Sequence, residues 1–109
     1  MELSKSDKKE ARAIIDKGLQ KDFARMLVGA RLILNDQLIN GHGNMETYHL
    51  LYNHVQTADK HIADTYDAIR PSWYADILAL QLHSGLISEQ DLEPLTQDVK
   101  AAIKSLLVE

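Results

Sequence analysis

The sequence predicts an all-α protein: an antiparallel bundle of four to five helices, two of them long, with shorter helices toward the C-terminus. Three observations predict it. Apolar residues recur at helical spacing over two long stretches, residues 15–37 and 48–69. Two prolines and five glycines in 109 residues are too few turn formers for many short strands. Phe and Trp occur once each, so Leu, Ile, Val, Ala and Met must fill the core, a mix that suits helices better than a sandwich. Length and a hydrophobic content of 45% fit a single domain over residues 1–109 with one core.

The first helix is expected from about Ser6 to Ile39. Ser4 or Ser6 can cap it, with Leu3 as a staple partner. Its inward stripe reads Ile15, Leu19, Phe23, Met26, Ala30, Ile33, Leu34 and Gln37, in a register that runs unchanged through Gly18. Glycine in a helix interior costs about 1 kcal/mol relative to alanine, so a kink or short break at Gly18 stays open. A second, weaker stripe of Ile14, Val28, Leu32 and Ile39 lies on another side. A helix apolar on two sides is either deeply packed or touches a second chain.

Asn40-Gly41-His42-Gly43-Asn44 is the clearest break, because these residues supply the left-handed conformations that end a helix. The second long helix is expected from Met45 to Ile69, with Tyr48, Leu51, Tyr52, Val55, Ala58, Ile62, Tyr66 and Ile69 in one stripe. Arg70-Pro71-Ser72 ends it. Trp73, Ile77, Leu78 and Leu82 then mark a short helix that Gly85 caps. Ser88 is placed to cap a brief turn carrying Asp91, Pro94 interrupts, and Thr96 caps a restart. The last helix, Gln97 to about Val108, points Val99, Ala102, Ile103 and Leu106 inward.

Composition narrows the function classes. The absence of cysteine removes disulfides, thiolate metal sites and a Cys nucleophile, and it fits a cytoplasmic protein. Residues 1–11 are polar with no apolar core, so a signal peptide is not expected. The run Met26–Leu34 carries Arg31 and is far short of a membrane span. Net charge is −4 but uneven: residues 1–31 hold eight Lys/Arg against five Asp/Glu, and the rest of the chain is strongly acidic. That balance does not suit nucleic acid. Trp73–Leu92 has the outline of a helix-turn-helix, yet its second helix would present Glu89, Asp91 and Glu93 to phosphates that repel them.

Asp59 is the conspicuous candidate residue. It falls inside the apolar stripe of the second helix, where burying an unpaired charge costs several kcal/mol. Its helical neighbours Val55, Gln56, Ile62 and Ala63 cannot neutralise it, and Tyr52 and Tyr66 flank it one heptad away. Two readings stand. Asp59 is a register-setting carboxylate satisfied from another helix, or it lines a cleft as a base or ligand. His54 and His61 share one side of the helix. At i,i+7 their rings start about 10 Å apart, far for one metal. A zinc site from His54, His61 and His83, or a di-iron site from Glu46 and His49, would need ligands that converge from elsewhere.

No Gly-x-Ser-x-Gly elbow or phosphate loop is present, and the serines at 4, 6, 72, 84 and 88 sit where capping explains them. The expected function is therefore a non-enzymatic protein–protein interaction or regulatory module. It would bind a protein partner or itself, with no cofactor, nucleic acid or membrane. The alternative is a small-ligand or metal site using Asp59 and nearby Tyr and His in an inter-helix cleft.

Overall fold

The computed structural model describes residues 2–108; Met1 and Glu109, the ends of the expected single-domain range, lie outside the described residues. Among the described residues there are four α-helices and no strand: α1 (Lys5–Asn40), α2 (Asn44–Tyr66), α3 (Tyr74–His83) and α4 (Gln97–Val108). Two 3-10 turns, Pro71–Trp73 and Glu89–Leu92, precede α3 and α4. The chain divides into two compact units. One joins Met1–Lys21 with Ala68–Glu109, and the other is Asp22–Asp67. They are called here the core unit and the hairpin unit.

In the core unit the first half of α1 contributes Ala11, Ile14 and Ile15, α3 contributes Ile77 and Leu78, and α4 contributes Val99 and Ile103, all buried. The connecting segments add Leu86, Ile87, Leu92 and Leu95. Ser4, the residue before α1, caps it by accepting the Asp7 backbone N–H at 3.1 Å. Asp7 is itself buried and accepts the backbone N–H and the hydroxyl of Thr96, at 3.1 and 2.8 Å. The Thr96 N–H, above all, holds the Asp7 carboxyl below its ordinary range against the opposing effect of burial, and the hydroxyls of Thr96 and Ser4 add to it. Thr96 does stand immediately before α4, but these bonds tie it to the start of α1.

Helix α1 continues through Gly18 without a break. The glycine serves a close approach: a Cβ there would lie 2.6 Å from Cδ of Gln81. The buried Gln81 amide donates to the Ile15 carbonyl at 3.0 Å, which is possible only where α1 presents bare backbone. Gly85 has φ of +77°, and the Leu86 N–H returns to the Gln81 carbonyl at 2.9 Å, so α3 ends as expected. Ser88 and Asp91 cap the turn after it reciprocally. Asp91 also meets Lys17 at 2.5 Å, and the lysine, above all, draws its carboxyl down to about 2.

Three expectations about the elements change. Helix α2 stops at Tyr66, not Ile69, because Ala68 takes a positive φ of 58° and turns the chain. No glycine or asparagine marks that turn, so nothing in the sequence announces it. Trp73 is exposed, with the Arg70 guanidinium 5.9 Å from its ring, and Tyr74 faces inward in its place. Leu106 is also exposed, leaving Val99 and Ile103 as the buried positions of α4 among the described side chains.

Candidate functional site

The hairpin unit consists of the second half of α1, a short loop and α2. The loop is held at both ends. Gly41 takes φ of +69° to end α1, and Gln37 donates to Asn44 at 2.7 Å. His42 lies between two carboxylates, 2.8 Å from Asp36 and 3.4 Å from Glu46. Beyond the loop, α2 returns along α1. His54 Nε2–H donates to the Met26 carbonyl at 2.8 Å, and His61 and Tyr66 both meet Asp22.

Polar groups and small residues make the seam between the two helices. Tyr66 Oη donates to Asp22 Oδ2 at 2.9 Å, and His61 Nε2–H donates to the same oxygen at 3.0 Å. Asp22 and Tyr66 are buried. Gly29 lets the His54 ring close on α1, since a Cβ there would lie 2.6 Å from His54 Nε2. A shallow cavity of about 240 Å³ opens beside this seam, lined by Asp22, Arg25, His54, Thr57 and His61 among others.

Of the sequence-predicted site residues, the structure brings Tyr66 and His61 together, but on Asp22 and not on Asp59. Asp59 is exposed, and among the described residues it has no hydrogen-bond or ion-pair partner. It borders a cavity of about 60 Å³ with Phe23, Met26, Val55, Ala58 and Ile62. Tyr52 is half-exposed and accepts a hydrogen bond from Gln56 at 2.8 Å. His54 is spent on the Met26 carbonyl. The expectation that the stripe around Asp59 is buried is therefore corrected. Because Gly29, Ala58 and the Asp22 cluster bring the backbones together, the larger Tyr48, Tyr52 and Val55 are left on the flank.

Asp22 is the residue that sequence reasoning missed. A signal was present: Asp22, Met26, Gly29 and Ile33 recur at i, i+4, i+7 and i+11, one helical face with a glycine in it. Among the described residues, no three of His, Asp and Glu gather as metal ligands. Glu46, half of the Glu-x-x-His pattern, pairs with His42 and not with His49. No helix among the described residues is long and apolar enough to cross a membrane.

The other prominent feature of this unit is its apolar surface. Phe23, Leu27, Val28, Leu32, Leu34, Leu38 and Ile39 of α1 and Met45, Tyr48, Leu50, Tyr52 and Val55 of α2 are all exposed. Within Asp22–Asp67 only Asp22, Thr47 and Tyr66 are buried. Tyr48 and Tyr52 stack with centroids 6.1 Å apart and planes 11° from parallel. In the core unit a larger cavity of about 440 Å³ is lined by Asp76, Ala79, Leu80, His83, Leu106 and Leu107. Compared with known protein families, with curated proteins and with solved structures, the chain matches none.

Proposed function

We propose that this chain is a non-enzymatic protein-interaction module of the cytoplasm, whose docking surface is the hairpin of residues 22–67. One observation carries the reading. Twelve large apolar side chains of the hairpin are exposed, while three of its residues are buried, two of them polar. A helix holds its shape in water mainly by covering its apolar face. A hairpin of this composition is built to be covered. Exposed apolar surface of this extent marks an interaction site on soluble proteins.

The competing reading, a ligand or enzyme site in the inter-helix cleft, draws support from the cavity beside Asp22. Two features weigh against it. Its volume, about 240 Å³, falls below the ~300–1,000 Å³ of ordinary ligand sites. The groups that line it are already engaged: Asp22 with Tyr66 and His61, and His54 with Met26.

The test is a photo-reactive amino acid placed at Tyr52 and, as a control, at Lys60, which is exposed and carries the i,i+4 pair with Asp64. Irradiation in cells is expected to give adducts with a protein chain from Tyr52 and none from Lys60. Equal labelling from both positions, or none from either, would overturn the docking reading.

A further inference from the structure

We infer that the hairpin's partner is a second copy of this chain, seated on the flank formed by Phe23, Leu27, Leu34 and Leu38 of α1 with Met45, Tyr48, Tyr52 and Val55 of α2. Two hairpins so placed close into a four-helix layer. The inference rests on the docking reading above and names the occupant of that surface.

Helical geometry groups these residues. At 100° per residue the four of α1 fall within about 60° of one another, and the four of α2 within about 80°. The two sets lie on the same side of the hairpin, because Phe23 and Val55 border one cavity in company with Asp59. All eight are exposed. The Tyr48 and Tyr52 rings stack against each other on this flank, and aromatic residues with few rotamers are common anchors of interface centres.

The area matches a dimer. At roughly 200 Å² per large side chain, the exposed fractions of these eight amount to on the order of 900 Å² per copy. A pair would bury about 1,800 Å², within the ~1,200–2,000 Å² of specific interfaces. The opposite flank, with Val28, Leu32, Ile39 and Leu50, offers about half as much and falls short of that range.

The charges also favour self-pairing. Asp59 lies one turn beyond Val55, at the end of the apolar stripe, and Arg31 lies at the edge of the α1 set. The face thus carries one charge of each sign at its rim and none within. A partner of opposite charge would find nothing to read there. An apolar surface that presents the same patch twice is suited to the isologous two-fold pairing that most soluble oligomers adopt.

Sedimentation equilibrium on the full chain tests this. The expected mass is twice the 12.3 kDa of one chain. Leu27→Glu and Tyr52→Glu, both at half-exposed positions, are expected to give the monomer, while Leu32→Glu on the opposite flank stays dimeric. Since the chain contains no cysteine, Tyr52→Cys with a short bis-maleimide supplies a readout that needs no destabilising change. It should give a covalent dimer, and Leu32→Cys should not.

A monomeric wild-type chain overturns the inference. So does a dimer that survives both Glu variants, or one broken only by Leu32→Glu. If the chain is monomeric but the Tyr52 photo-crosslinker captures a different protein, the second copy is excluded and the docking hairpin stands. If it is monomeric and nothing is captured, both fall.

Discussion

The core unit and the hairpin unit use the same apolar residue types at the same helical spacing, with opposite outcomes. Every buried apolar residue among those described, apart from Tyr66, lies in the core unit. Twelve of the sixteen large hydrophobics that are exposed among the described residues lie in the hairpin. The difference is one of geometry. In the core unit α1, α3, α4 and the segments between them converge, so each stripe meets others from several directions. Two helices alone share one seam, and a seam covers only a narrow strip of each. In the hairpin that strip is occupied by Gly29, Ala58, Asp22 and Tyr66, so the wider apolar flanks remain outside. Periodicity states which residues share a face. It does not state whether the face is covered.

The sharpest way to break this comparison is to truncate one leucine in each unit. Leu78 is fully buried, so Leu78→Ala should cost about 2–5 kcal/mol in urea unfolding. Leu38 is 82% exposed, and Leu38→Ala should change stability by no more than about 0.5 kcal/mol in the monomer. Equal losses would mean that Leu38 is covered. The loss at Leu38 would then depend on protein concentration, as expected when association supplies the cover.

The two helical glycines give a finer contrast. Alanine should gain about 1 kcal/mol over glycine in a helix interior. At Gly18 the new methyl meets the buried Gln81 amide and displaces its bond to the Ile15 carbonyl. An amide stranded in the core costs about 1–3 kcal/mol, so Gly18→Ala should be a net loss of up to about 2 kcal/mol. At Gly29 the methyl meets the ring of His54, which is only half-buried and can swing outward. The lost bond to Met26 and the gain in propensity then roughly cancel, each about 1 kcal/mol. A Gly29→Ala variant that melts as low as Gly18→Ala would show the hairpin seam to be as unyielding as the core.

These residues also mark how far the sequence could be read. The helix class, the Asn40–Asn44 break, the Gly85 cap and the Ser88–Asp91 cap were legible, because each depends on residues close in the chain. The turn at Ala68 was not, because alanine carries no signal for a positive φ. The Asp22 cluster was hidden for a different reason. Its donors lie 39 and 44 residues away, and only the folded seam brings them to one oxygen. Asp59 drew attention because it interrupts a stripe, but that stripe is split: Tyr66 is buried in the seam, while Tyr48, Tyr52, Val55 and Asp59 are exposed on the flank.

Within the hairpin, Tyr66→Phe isolates the buried hydrogen bond to Asp22. Losing the hydroxyl should cost about 1 kcal/mol, since His61 still donates to the same oxygen. A thermal-melt shift as large as that of Leu78→Ala would show that the hairpin is held by this cluster and the contrast between the units is overstated.

The smallest effect concerns acid, and it belongs to the core unit. The carboxyls of Asp7 and Asp91 are both depressed in the folded chain, Asp91 to about 2 from an ordinary 3.8. A depressed carboxyl stabilises the fold above its unfolded pKa, and that contribution fades as pH falls through the folded value. Stability should therefore drop between about pH 4 and pH 2. Lys17 is more than half exposed, so its pair with Asp91 is screened by water and should contribute less than about 1 kcal/mol. Asp7 is held by hydrogen bonds from Thr96 and Ser4 and should resist added salt better than the Lys17–Asp91 pair. Trp73, the single tryptophan, lies in the core unit and reports its unfolding by fluorescence. Asp91→Asn should flatten the pH dependence of the Trp73 midpoint, and salt should do so in the wild type but not in the variant. An Asp91→Asn chain with the wild-type acid slope would assign the whole acid effect to Asp7 and leave the Lys17 pair without thermodynamic weight.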